Sequence, residues 1–553
     1  MIRMRSRTLR ADALAGLPGA IGSVPDGMAA SVLAGVSPIH GLYASFAGPI
    51  AGGAFAGTQL MVITTTGAAA LAAGSAIANI DPSQRSDALL LLTVLAGAFM
   101  IVAGVLRLGR YTRFVSHSVM IGFLTGVAAN IVFGQIADLA GTTASGPFPL
   151  AKAIDVITRP GDISLASVVV GLGAIALLGL LARTPLASFA ALVALVIPTV
   201  VAALFDAGTV LTVEDGAEIP RGLPLPGIPD LSVFTLNLVT GALAVAAIVL
   251  VQGAGVGESA PNPDGSKPST NRDFFAQGTA NVVAGLFKGQ PVGGSVGQTA
   301  LNVTAGARSR WASIFSGIWM LLILVAFSGL VGKVAMPTLA GVLIFAAVGS
   351  LRWGEIGTVL QTGRSSQLAV VTTFIATLFL PVAAAVGIGV ALSLLLQLNR
   401  DALDLKVVRL VPREDGALEE RRAPAQLESR AVMLLDAYGS LLYAGSRTLQ
   451  ARLPEIGEAV DPVVILRLRG RTALGATFFV VISDYARRLA KAGGRLYLSG
   501  VGGELAEQMR RSGSVDFLEQ DQVITATAVL GESSATALAK GETWLLAHPG
   551  NDD

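Results

Sequence analysis

The chain contains no cysteine and only three histidines, and charge is sparse over residues 1–400. Without cysteine there can be no disulfide, no thiolate metal site and no cysteine nucleophile, although the redox compartment stays open. His40, His117 and His548 lie too far apart in sequence to suggest a metal cluster, and neither a metal nor a cofactor is expected. Charged residues make up 14% of the 553, against about 25% in soluble domains. With 52% hydrophobic residues and a mean hydropathy of +0.67, the composition is that of a membrane protein. The net charge of +2 gives no reason to expect a nucleic-acid partner.

What is present is a series of apolar stretches, at about 12–34, 38–56, 65–79, 87–106, 114–138, 163–182, 186–205, 235–257, 273–287, 297–307, 311–331, 335–350, 366–381 and 383–398. The basic start followed by an apolar run could mimic a signal peptide. Pro18, Pro25 and Asp26 interrupt that run and more apolar stretches follow, so it reads as a broken first spanning helix. With the N-terminus inside, the inner face receives four N-terminal arginines. It also receives Arg107, Arg110, Arg113, Arg183, Lys267, Arg272, Arg308, Arg310, Arg352, Arg364 and Arg400. The outer face receives Arg85, Lys152, Arg159, Arg221, Lys288 and Lys333, the asymmetry of a multi-pass inner-membrane protein. An even number of spans leaves the charge-rich tail in the cytoplasm. The sequence therefore divides into a transmembrane domain (1–400), a linker (401–406) and a cytoplasmic domain (407–553). In the tail, strands are predicted at Val407–Val411, Ala431–Asp436, Val463–Leu468 and Arg495–Ser499, with helices at Ser446–Ala459, Ala476–Ala492 and Glu504–Ser512. That alternation predicts a small α/β domain.

One stretch, Lys288–Arg310, differs from the other apolar segments. Two Pro/Gly-rich turns precede a helix over Gly297–Ala307, which is too short to cross a bilayer that takes roughly 20 apolar residues. Such a half-helix survives at membrane depth only where protein buries its ends or they line a cavity. Its free N–H groups and positive dipole end then make an anion site. Gly57–Gly74 has the same texture, and an offset of about 232 residues sets Thr65, Thr66 and Gly67 against Gly297, Gln298 and Thr299. Seven helices between the copies make the repeat inverted, as in many secondary transporters. Thr64, Thr65, Thr66 and Thr299 can add hydroxyls to the site and Gln298 an amide, though the same small residues also suit close helix packing.

Asp26 is a carboxylate inside a membrane segment, a costly placement that points to function. Facing an anion, it would load a proton together with the anion; as a helix cap it would accept backbone N–H bonds where the helix restarts at Gly27. Glu258 ends the eighth helix and suits a solvated face. His117, beside Arg113, reads as an interfacial histidine. The G-x-S-x-G at Gly293–Gly297 lacks the α/β sheet and downstream histidine of a hydrolase, and Gly253–Gly257 lacks dinucleotide spacing, so no enzyme is predicted.

Val24-Pro25-Asp26-Gly27-Met28-Ala29, Gly41-Leu42-Tyr43, Pro49 and Gly57-Thr58 resemble the opening pattern of sulfate permease (SulP) anion transporters. Asn271-Arg272-Asp273, Gly278, Asn281 and Gly297–Arg310 resemble that family's second-half signature, and the tail resembles a STAS domain. The resemblance implies fourteen helices in two inverted seven-helix repeats, a core and a gate, with an anion between the third and tenth helices, and a homodimer. It places Asp26 where the family has Gln, and Gly297-Gln298 where many animal members have Ser-Arg, so that cation is missing. Gln252 falls near the acid of sodium-coupled members, and Ala476 replaces a phosphorylatable STAS serine. The function implied is secondary active transport, with proton-coupled symport of a dianion such as sulfate or a C4-dicarboxylate (fumarate, for example) leading. An anion exchanger, an uncoupled channel-like or voltage-sensing member, and a membrane-tethered STAS signalling module are the alternatives.

Overall fold

A computed structural model describes residues 6–184, 189–205, 210–216, 225–260, 262–380, 382–513 and 515–548. Two compact units divide the chain, Met1–Ser393 and Leu394–Asp553. The first opens with α1 (Ser6–Leu33), α2 (Ile39–Phe55), strand β1 (Ile63–Thr65), α3 (Gly67–Ile77), α4 (Arg85–Val105), α5 (His117–Ala140) and α6 (Pro149–Thr158). It continues through α7 (Leu165–Leu181), α8 (Ala190–Phe205), the single turn α9 (Val213–Gly216), α10 (Leu236–Ser259) and α11 (Thr270–Leu286). Strand β2 (Val292–Gly294) and α12 (Val296–Thr304) follow, then α13 (Trp311–Val331), α14 (Met336–Gly349), α15 (Trp353–Thr362) and α16 (Arg364–Phe379). Helix α17 (Val382–Leu403) carries the chain into the second unit.

Each of the fourteen apolar stretches coincides with a helix, and α6, α9 and α15 are additional. By length and composition, Arg85–Val105, His117–Ala140 and Leu236–Gly257 each suffice to cross a membrane alone, while α14 and α15 meet that criterion only when taken together across a 41° bend. The packing repeats in reverse between halves: α1 lies on α13 as α10 lies on α4, and α1 meets α12 as α10 meets α3. Likewise α5 lies on α16 as α7 lies on α14, while α2 pairs with α11 and α5 with α14 across the pseudo-axis. These are the contacts of an inverted repeat.

Three expectations need correction. Helix α1 runs unbroken through Pro18 and Pro25, so the chain does not restart at Gly27 and Asp26 is no cap. Gly27 instead serves a close crossing: a Cβ there would lie 2.9 Å from the Gly41 carbonyl oxygen on α2, and a Cβ on Gly41 would strike the Gly27 carbonyl. The half-helix α12 covers Val296–Thr304 rather than Gly297–Ala307, because Ser295 caps it and Gly306, at φ +85°, turns the chain away. Matching β1 to β2 and Thr66 to Ser295 sets the repeat offset at 229 residues rather than 232.

The second unit contains β3 (Lys406–Pro412), β4 (Leu418–Arg422), β5 (Val432–Tyr438), α18 (Tyr443–Arg452), β6 (Val463–Arg467) and α19 (Ala476–Lys491). β7 (Arg495–Val501), α20 (Gly503–Ser512), β8 (Val523–Thr525) and α21 (Glu532–Ala547) complete it. The sheet order is β4-β3-β5-β6-β7-β8, antiparallel through β5 and parallel beyond. Helix α19 buries Phe478, Ile482 and Leu489 against Leu435, Leu466 and Leu498. Its Tyr485 hydroxyl donates to the Pro454 carbonyl at 2.9 Å, and burial pushes that phenol's pKa up. The four predicted strands are present; β4, β8 and α21 are additional. Helix α18 stops at Arg452 rather than reaching Ala459, since the residue before Pro454 disfavours helical backbone.

Candidate functional site

The site is built on the antiparallel pairing of β1 with β2, in which Ile63 faces Gly294, Thr64 faces Gly293 and Thr65 faces Val292. Each strand runs straight into a half-helix. Thr66 caps α3, its hydroxyl accepting from Ala69 N at 3.2 Å, and Ser295 caps α12 by accepting from Gln298 N at 3.3 Å. The caps leave the first amides of the two helices, at Gly67 and Ala68 and at Val296 and Gly297, without intrahelical acceptors. All four residues border one cavity of about 540 Å³, together with Asp26 and Ala30 of α1. Leu124, Val127, Ala128 and Ile131 of α5 and Leu343 and Ala347 of α14 supply an apolar wall. Two helix ends bring roughly half a positive charge each, and an apolar wall strengthens their pull on an anion.

The predicted residues divide here. Asp26, Thr65, Thr66, Gly67, Gln252 and Gly297 line the cavity; Thr64, Gln298 and Thr299 do not. The Thr65 hydroxyl is buried and lacks a protein partner among the described residues, so it is available to a ligand. Thr64, one residue away on a strand, points to the opposite face. Thr299 accepts from Val62 N at 3.1 Å and so anchors the approach to β1. Gln298 turns to α1, where its Nε2 donates to Asp26 Oδ2 at 2.8 Å. Gln252 joins the halves, its Oε1 accepting from the Thr66 hydroxyl at 3.5 Å and its Nε2 donating to the Gly294 carbonyl at 3.3 Å. Glu258 belongs to α10, but its side chain lies outside the described residues. Ser295 and Arg352 are cavity residues that sequence reasoning missed. Ser295 was legible as a serine three residues before Gln298, the spacing of an N-cap.

The Asn271–Asn281 signature holds this geometry in place. Asp273 clasps the turn before β1, accepting from Gly57 N at 2.7 Å, Thr58 N at 2.9 Å and the Thr58 hydroxyl at 2.7 Å. Asn281 pairs twice with Val292 of β2, and Gln277 Oε1 accepts from Gly294 N at 3.1 Å. Reciprocally, His40 of α2 contacts the Lys288 carbonyl at 2.7 Å and its own carbonyl accepts from Gln290 N, which fixes the turn before β2. Thr65→Val, which removes the free hydroxyl and keeps the shape, should weaken anion affinity about 3- to 10-fold with little change in maximal rate, measured by counterflow in proteoliposomes.

Two inverted helical halves that meet at paired half-helix ends define a membrane anion carrier, not an enzyme. The family model described as "Sulfate permease family" matches residues 9–376, and the chain belongs to that family. YvdB of Bacillus subtilis is 24% identical, with 91% of this chain and 93% of that protein covered. The bicarbonate transporter BicA of Synechocystis is 22% identical, covering 92% of this chain and 91% of its own. Among solved structures, the murine anion transporter Slc26a9 in the inward-facing state has a TM-score of 0.83 at 18% identity, covering 98% of this chain and 92% of that one. The second unit fits a STAS domain, and Ala476, where a phosphorylatable serine is expected, is the first residue of α19.

Proposed function

We propose that this protein is a secondary active transporter that carries a dianion, sulfate or a C4-dicarboxylate, in symport with a proton by alternating access. The observation that supports it is Asp26, a carboxylate in the wall of the cavity that the two half-helix ends share. A dianion exceeds the roughly +1 offered by two dipoles, and an ionised Asp26 would oppose it further. Two like charges in one confined cavity repel, so dianion and proton enter together. The substrate site consists of the Thr65–Gly67 and Ser295–Gly297 segments with Gln252, while Gln298 orients the acid.

The carrier works as a homodimer in the bacterial inner membrane, with its N-terminus and STAS domain cytoplasmic. A second reading, bicarbonate transport, draws support from the similarity to BicA and from charge, since a monoanion balances the two dipoles without a proton. Purified protein in liposomes, offered labelled sulfate, fumarate or bicarbonate with and without an inward proton gradient, tests both. Gradient-driven accumulation of a dianion is expected. Bicarbonate uptake indifferent to the gradient would replace the first reading with the second.

A further inference from the structure

The cavity wall contains a second charged side chain among the described residues, Arg352. It lies where α14 gives way to α15 at the 41° bend, on the face that the arginine and lysine asymmetry assigns to the cytoplasm. One arm of its guanidinium is already engaged. Nη1 donates to both carboxylate oxygens of Glu355, at 3.1 and 3.3 Å, and Glu355 Oε2 also lies 3.4 Å from Nε2 of His117, the first residue of α5. The Arg352 and Glu355 side chains are 37% and 40% exposed, so the pair stands at a wet mouth rather than in a dry core. An ion pair so exposed contributes little to stability, and its partners exchange readily.

We infer that Arg352 supplies the cation that the half-helix ends lack: it captures the anion at the cytoplasmic mouth, and Glu355 is the built-in competitor that the anion must displace. This rests on the transport reading above. The chemistry is that of a planar fork, which binds a carboxylate or an oxyanion through paired N–H donors, and Glu355 presents the same acceptor pair that a dicarboxylate would. The trade has a direction. A strong fixed cation would bind the anion and hold it; one already engaged by a carboxylate binds it and lets it go. Affinity on that side is then set by the difference between two similar carboxylate contacts, which favours turnover over retention.

The test is anion counterflow in proteoliposomes, which needs no proton gradient, with the half-saturating concentration read on the face that carries α15. Arg352→Gln should raise that concentration about 10-fold and leave the maximal rate within twofold, with Arg352→Lys between it and wild type. Glu355→Gln should lower the concentration about 3-fold. The double variant should match Arg352→Gln alone, since a competitor has no effect once its cation is gone. Unchanged affinity in both single variants, or additive losses in both, would overturn the assignment and leave the pair a mere brace. If Arg352→Gln fails to fold, judged by its detergent melting curve, Glu355→Gln alone carries the test: tighter binding supports the proposal and weaker binding overturns it. A wild type without saturable counterflow of any tested anion would fail the transport reading itself. Saturable counterflow with unmoved affinities in the variants would fail only the role of Arg352.

Discussion

Asp26→Asn in reconstituted protein should end pH-driven accumulation while leaving anion counterflow running. Asparagine keeps the shape and one carbonyl oxygen, so it can still accept from Gln298 Nε2, now 2.8 Å from Asp26 Oδ2. What it loses is the ability to take up a proton. With one proton per anion, a pH difference of one unit contributes about 1.4 kcal/mol, or tenfold accumulation at equilibrium. The variant should therefore equilibrate its substrate where wild type concentrates it about tenfold. Labelled-anion uptake with the pH stepped across the bilayer measures this directly, and an asparagine variant that still concentrates substrate removes Asp26 from the coupling.

The largest stability effect is expected at Asp273. The residue is 2% exposed, and its carboxylate accepts the only hydrogen bonds described for Gly57 N, Thr58 N and the Thr58 hydroxyl. Asp273→Ala strands these buried donors, and breaking a buried charged network of this kind costs about 3–5 kcal/mol. Asp273→Asn should cost less, because one oxygen remains while an NH2 turns toward a donor it cannot satisfy. Melting curves of the detergent-solubilised variants check the order Ala below Asn below wild type. An alanine variant melting with wild type would show that the clasp is dispensable. Because the clasped turn leads into β1, transport should fall with the melting temperature.

Much of this was legible because bilayer chemistry restricts the chain so strongly. Every apolar stretch became a helix, and the two unusually short ones, flanked by glycine and proline, became the half-helices at the site. What misled was local. Gly297-Gln298-Thr299 resembles the start of a helix in composition, yet Ser295 offered a cap one residue before Val296, and capping fixed the boundary. Pro25 suggested a break in α1, but a helix packed against α2, α12 and α13 keeps its course through a proline. Gln298 was a plausible ligand until tertiary contact gave it Asp26. Arg352 lay beyond sequence reasoning, since only the fold brings the α14–α15 bend to a cavity whose other walls lie up to 326 residues earlier, at Asp26. In the STAS unit, β4 and α21 lack the apolar pattern of their neighbours: β4 is exposed along its length.

The pairing of β1 with β2 also sets a timetable for synthesis. Ile63 finds its partner in Gly294, 231 residues later. At about 5–20 residues per second, a ribosome takes roughly 10–50 s to cover that distance. For that interval the first half of the protein sits in the membrane with a bare strand edge and an uncovered helix end. Both must be shielded by the insertion machinery or by provisional contacts with the early helices. Premature termination anywhere before residue 295 should therefore yield a fragment recognised as unfinished by quality-control proteases, however well its individual helices have inserted.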